Sequence, residues 1–233
     1  MTNDFFRFED KEYDFPFLNG DSRFTTKNVI ILIIGLLISA VIPYLIPPTG
    51  EGMLKAILMT FPPLLATVYV FKDDMSNVFR MPKPRDILIV IIGLILMFVF
   101  ATISNFIGNA LGIPVLTDNA VNGPPLILII RALIQLLGEE LVKFIPLIIA
   151  AAYLYKSIGR KAAIIVAIII TQIIFALFHI PAYGFAMGFL LLHIGFGSIV
   201  LPLVYVKTKN VIICYLIHFL FDLVTFIPHL LNA

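Results

Sequence analysis

Apolar runs long enough to cross a bilayer recur along the whole chain, and no other feature restricts its fold as much. A helix needs about 20 apolar residues to span the hydrocarbon core. Runs of that kind stand near 29–46, 53–71, 87–107, 126–154, 162–180, 183–206 and 211–230. Turn chemistry separates them, at Pro47-Pro48, Pro82 to Arg85, Asn122 to Pro125, Ser157 to Lys161, Pro181 and Lys207 to Asn210. The chain is 61% hydrophobic and 13% charged, whereas a soluble domain averages about 45–50% apolar. These features predict an all-α, polytopic transmembrane helix bundle of about seven spans. A net charge of +2 gives nucleic acid no handle. The single cysteine, Cys214, lies in an apolar run and reads as a small buried hydrophobe.

Lysine and arginine test the span count. The N-terminal arm carries Arg7, Lys11, Arg23 and Lys27, and the second loop Lys72, Arg80, Lys83 and Arg85. The fourth loop carries Lys156, Arg160 and Lys161, and the sixth Lys207 and Lys209. The alternate loops are nearly bare, with only Lys55 near an edge of the first. The positive-inside rule then predicts a cytoplasmic N-terminus and a non-cytoplasmic C-terminus. Residues 1–28 form a charged, aromatic cytoplasmic arm, which either lies on the membrane interface or is a loosely ordered tail. Residues 29–233 form the transmembrane domain, in the plasma membrane. The first apolar run has no short basic lead, so it reads as a retained span and not a cleaved signal.

Charge inside a membrane is costly and tends to be paired or functional. The fourth run holds Arg131, Gln135, Glu139 and Lys143 at four-residue intervals, along one slowly drifting helix face. Glu140 sits about 100° round the helix from Glu139, and Lys143 can pair with either carboxylate. A buried ion pair that only locks packing needs one glutamate, and here there are two. The fifth run ends in Gln172, Phe175 and His179 on one face, just before Pro181. The seventh carries His218, Asp222, Thr225 and His229 as one stripe, in which Asp222 can hold the His218 imidazole and fix its tautomer. Two glutamates, a histidine and a His-Asp pair on three spans contain what water activation and oxyanion stabilisation require. Ser198, without a flanking glycine pattern, makes serine hydrolysis less attractive.

These residues resemble the motifs of the CPBP family (CAAX proteases and bacteriocin-processing enzymes, or Abi proteins), which are intramembrane glutamic proteases. The family pattern is EExxxR, then FxxxH, then HxxxN. Glu139-Glu140 resembles the first, Phe175 with His179 the second, and His218 with Asp222 the third, over a catalytic core of residues 125–230. Two positions depart from it. Phe144 stands where the family has arginine, with a cation one residue earlier at Lys143, an EExxK spacing that resembles membrane proteases acting on anti-sigma factors. Asp222 replaces the more common asparagine. The resemblance implies a metal-independent, cofactor-free endopeptidase in which Glu139 and His179 activate water. His218 and Asp222 would stabilise or orient, and Glu140 and Lys143 would tune the site. The implied partners are a peptide or prenylated protein substrate, such as a CAAX tail, and the lipid bilayer. A zinc-dependent hydrolase and a non-enzymatic carrier or scaffold stand as alternatives.

Depth along the spans gives a different expectation for one histidine. Counted from the inner ends at 1.5 Å per residue, Glu139 lies roughly 24 Å deep and His218 only roughly 10 Å. His193, at roughly 20 Å, fits better and is kept beside Phe175 and Lys143 as a supporting residue. Gly184, Gly188, Gly195 and Gly197 are expected to let the sixth span pack closely.

Overall fold

The computed structural model describes residues 5–18, 20–46, 52–116 and 124–232, with side chains as far as residue 227 except that of residue 77. The breaks at Pro47-Pro48 and Asn122, and the His229 side chain, lie outside the described residues. Those residues contain helices and no strands. In chain order they are α1 (Thr26–Leu45), α2 (Met53–Phe71), α3 (Asp86–Leu111), α4 (Pro125–Ile158), α5 (Arg160–Leu177), α6 (Ile180–Tyr183), α7 (Met187–Phe189), α8 (Val200–Thr208) and α9 (Val211–Asn232). A π-helical stretch, Leu190–Phe196, joins α7 to α8. Among the described residues, five helical stretches are long and apolar enough to cross a membrane: α1, α2, α3, α5 and Met187–Thr208. α3 is the most apolar, with a mean hydropathy of 3.0. The protein is an integral membrane helix bundle.

α4 is its axis. Proline at its first position suits a helix start, where no intrahelical N–H partner is lost. It packs along α5 and also against α2 and α9, so that every residue from Glu140 to Ile148 is buried. Since lipid is as apolar as leucine, such packing relies on close approach at small residues. Gly138 supplies one: a Cβ there would lie 3.0 Å from the Thr60 Cα on α2. The Thr60 hydroxyl donates across the same contact to the Ile134 carbonyl, 2.9 Å away. Gly93 plays the same part between α3 and α9, where a Cβ would run into the Ile217 side chain. Of the glycines expected in the sixth span, Gly195 does approach α5, at the Gln172 carbonyl. Gly184 instead takes a left-handed φ of 65° in the turn after α6, a conformation that glycine adopts without strain.

The described part of the arm is ordered against the helices. It folds over one end of the bundle. Phe15, Phe17 and Leu18 enter the main core, and Phe17 stacks on Phe71 at the end of α2. The Glu9 carboxylate, fully buried, bonds both Arg160 (2.6 Å) and Lys209 (2.7 Å). The connection before α9 is buried under it. Lys209 is 0% exposed. Asn210 donates to the Arg80 carbonyl and accepts from the Arg80 and Ile212 N–H groups, stapling the α2–α3 loop to the start of α9.

Candidate active site

The three polar stripes meet. The Glu139 Oε2 atom lies 4.0 Å from His179 Nε2 and 3.9 Å from His218 Nε2, so one carboxylate oxygen faces two imidazoles. Its other oxygen accepts from the Gln135 amide at 2.9 Å, one helical turn earlier on α4. Gln135 was legible as part of the polar stripe, but the stripe alone did not show which group it holds.

His179 follows the last turn of α5, where Pro181 starts the next short helix. Its Nδ1 is 2.9 Å from the Phe175 carbonyl. A carbonyl can only accept, so Nδ1 carries a proton and Nε2 is the ring nitrogen that faces Glu139. The Phe175 ring meets the imidazole edge-on and also lies 4.0 Å beneath the Lys143 ammonium. One aromatic ring thereby orders the histidine and the cation together.

Glu140 and Lys143 form a direct buried ion pair three residues apart. The four-residue spacing offered Lys143 to Glu139, but the lysine turns the other way. Glu140 also bonds His218 Nδ1 at 2.7 Å, and Lys143 Nζ stands 3.4 Å from the same nitrogen. The carboxylate that fixes the His218 tautomer is therefore Glu140, from another helix. Asp222 is 4.0 Å from Nε2, on the side that faces Glu139. Burial divides the two glutamates: the Glu139 side chain is 16% exposed and that of Glu140 3%.

The expectation from depth is corrected here. His218 does reach Glu139, and α9 begins at Lys209 and Asn210, which are buried beneath the arm. Counting residues from the end of a span fails wherever that end is covered. His193 stands elsewhere, stacked on Phe189 and close to Gly108 of α3, with no described carboxylate oxygen within 4.0 Å of its ring nitrogens. Gln172, on the same face as His179, donates to Ser198 Oγ at 3.0 Å and to the Gly195 carbonyl, which ties α5 to the π-helical stretch. Among the described residues no three His, Cys, Asp or Glu side chains are placed to ligate one metal ion.

One comparison with known proteins covers this segment. Residues 121–224 match the family model of the Type II CAAX prenyl endopeptidase Rce1-like proteins, consistent with the CPBP family. No curated protein and no solved structure gives a significant match. The matched segment carries Glu139, Glu140, His179, His218 and Asp222.

Proposed function

With an Rce1-like domain over residues 121–224 as the premise, we propose that the protein is an intramembrane endopeptidase using glutamate and histidine to activate water, without a metal. Its substrate is a membrane-associated peptide, such as a prenylated CAAX tail. One observation carries the reading: a single Glu139 oxygen faces the Nε2 atoms of both His179 and His218 at about 4 Å. That gap is too long for a direct hydrogen bond and suits one bridging water.

The water donates to Glu139 and to the His179 lone pair while its oxygen attacks the scissile carbonyl carbon. Glu139 takes the water proton, and the carbonyl oxygen becomes the oxyanion. His218, oriented by Glu140 through Nδ1, directs Nε2 at that oxyanion and donates to it when protonated. Collapse breaks the C–N bond, and Glu139 returns its proton to the leaving amine. Asp222, beside Nε2, orients the ring. Gln135 holds the idle Glu139 oxygen, so that the other points into the site.

The test uses purified wild type, Glu139→Gln and Glu140→Gln in detergent, with a fluorogenic farnesylated CAAX peptide and with or without EDTA. The expected result is EDTA-indifferent cleavage that falls at least a hundredfold in Glu139→Gln and less in Glu140→Gln. Loss confined to Glu140→Gln reverses the two roles. Cleavage abolished by EDTA and restored by zinc makes the protein a zinc hydrolase. No cleavage by wild type counts against the peptidase reading.

A further inference from the structure

A cavity at the arm end of the bundle shares no residue with the catalytic site, and four cations stand in its wall: Arg80, Lys83, Arg85 and Lys207. Lys83 and Arg85 already have carboxylates. Lys83 bonds Glu12, and Arg85 bonds both Asp10 and Glu12. Arg80 and Lys207 differ: among the described residues, no carboxylate oxygen lies within 4.0 Å of either cationic group.

Arg80 is also held in place before any ligand arrives. Its backbone is tied to Asn210 by bonds in both directions. Its Cζ atom lies 3.6 Å from the centre of the Tyr13 ring, and its guanidinium donates to the Ser76 and Thr208 carbonyls. Those bonds use two of an arginine's five N–H donors and leave three. The Lys207 ammonium donates to the Phe8 carbonyl and keeps two of its three. The carboxylates in the wall do not answer these donors. Asp10 accepts from Arg85 and from the Glu12 N–H, and Asp86 accepts from the Lys83 N–H at the start of α3. A fixed guanidinium beside a lysine, both with donors to spare, is a pattern that binds phosphate oxygens.

Position narrows the source of that phosphate. The rest of the wall includes the apolar residues Met81, Ile89 and Ile213. Met81 is 88% exposed, and Ile87 and Leu88, in the first turn of α3, are 61% and 62% exposed. The cavity therefore stands where the apolar surface of a membrane-crossing helix begins. That is the level of a lipid headgroup, and basic pockets between helices at that level hold anionic ones. Beyond the peptidase reading and independently of it, we propose that this cavity binds the phosphate of an anionic phospholipid, with Arg80 and Lys207 as its main contacts. The headgroup bridges the α2–α3 loop and the end of α8, while its acyl chains lie along α3.

The test follows unfolding of the purified full chain in detergent, with a maleimide dye that fluoresces on reacting with Cys214, the single cysteine, which is buried in the folded protein. Micelles doped with phosphatidylglycerol should raise the midpoint by about 5 °C over micelles doped with phosphatidylcholine, whose phosphate is neutralised by its own choline. Arg80→Gln with Lys207→Gln should lose most of that rise, and Lys207→Gln alone gives the same reading if the double variant does not fold. Lys156→Gln with Lys161→Gln, which removes the same charge from exposed positions at the same end, should keep it. Equal loss in both pairs, or no rise with wild type, overturns the site. A full rise from inorganic phosphate at matched ionic strength, with nothing added by phosphatidylglycerol, overturns the lipid source and leaves a site for free phosphate. Because no cleavage is measured, failure here leaves the peptidase reading untouched.

Discussion

The Glu140–Lys143 pair shows what a single residue does in this bundle. Both side chains are almost fully buried, and each has a further partner on another helix: His218 for the glutamate, the Phe175 ring for the lysine. Removing one member of a buried pair strands the other charge at a cost of about 3–5 kcal/mol, whereas removing both is far milder. Lys143→Met is therefore expected to lower the unfolding midpoint in detergent by many degrees. Glu140→Gln combined with Lys143→Met should recover more than half of that loss. A Lys143→Met protein that melts with wild type would show that the pair does not anchor α4. The double variant would not recover activity, because His218 would lose the carboxylate that orients it. The identities of these residues could be read from sequence, but their pairing could not. Lys143 is within helical reach of both glutamates, and the choice depends on α5 and α9, whose positions lie outside any local pattern.

At the scale of the element, α4 places the catalytic residues only as accurately as it sits on α2. The span and its polar face were legible from periodicity and charge, and the helix ends fell within a few residues of the turn residues that mark them. The contact that fixes its height was not, because a lone glycine in an apolar run looks the same whether it faces lipid or a neighbour. Gly138 faces Thr60, and a Cβ there would lie 2.5 Å from the hydroxyl and 3.0 Å from Cα. Alanine in a helix gains up to about 1 kcal/mol over glycine in intrinsic propensity. Overpacking costs about 1–3 kcal/mol. Because the backbone of α2 cannot rotate aside as a side chain can, the second effect should win. Gly138→Ala is expected to destabilise the protein. Since Glu139 is the next residue, kcat/KM should fall at least tenfold with the active-site side chains intact. Adding Thr60→Gly should restore part of both. Unchanged kinetics in Gly138→Ala would mean that α4 shifts without disturbing the carboxylate.

Across the whole molecule, the helices were legible and the closure of one end was not. The arm's mixture of acids and aromatics did not disclose where it docks, because its partners, Arg160, Lys209 and Phe71, are distant in sequence. Its anchors are ionic, so its seating should depend on pH. Lys83 and Arg85 hold the Glu12 carboxyl down at about 2. Burial pushes the Asp21 carboxyl up, but bonds from Arg23 and from the Phe17 and Arg23 N–H groups outweigh it and leave the group below its usual value. For carboxylates lowered on folding, the stabilisation is complete above the unfolded value, near 4, and is lost as pH falls towards the folded one. The arm should stay seated from pH 7 to about 5 and loosen below about 4. Cys214 can report this. It is 2% exposed and lines a small cavity with Glu140, Lys143, Tyr205 and Val211, on the arm side of the site. A brief acid pulse with a pH-tolerant thiol reagent such as a pyridyl disulfide should modify Cys214 at pH 3.5 and spare it at pH 6. Glu9→Gln, which removes the carboxylate shared by Arg160 and Lys209 and leaves Arg160 only Asp14, should make Cys214 reactive already at pH 6. Protection of Cys214 in Glu9→Gln at both pH values would show that Phe15 and Phe17 close this end without the arm's ion pairs.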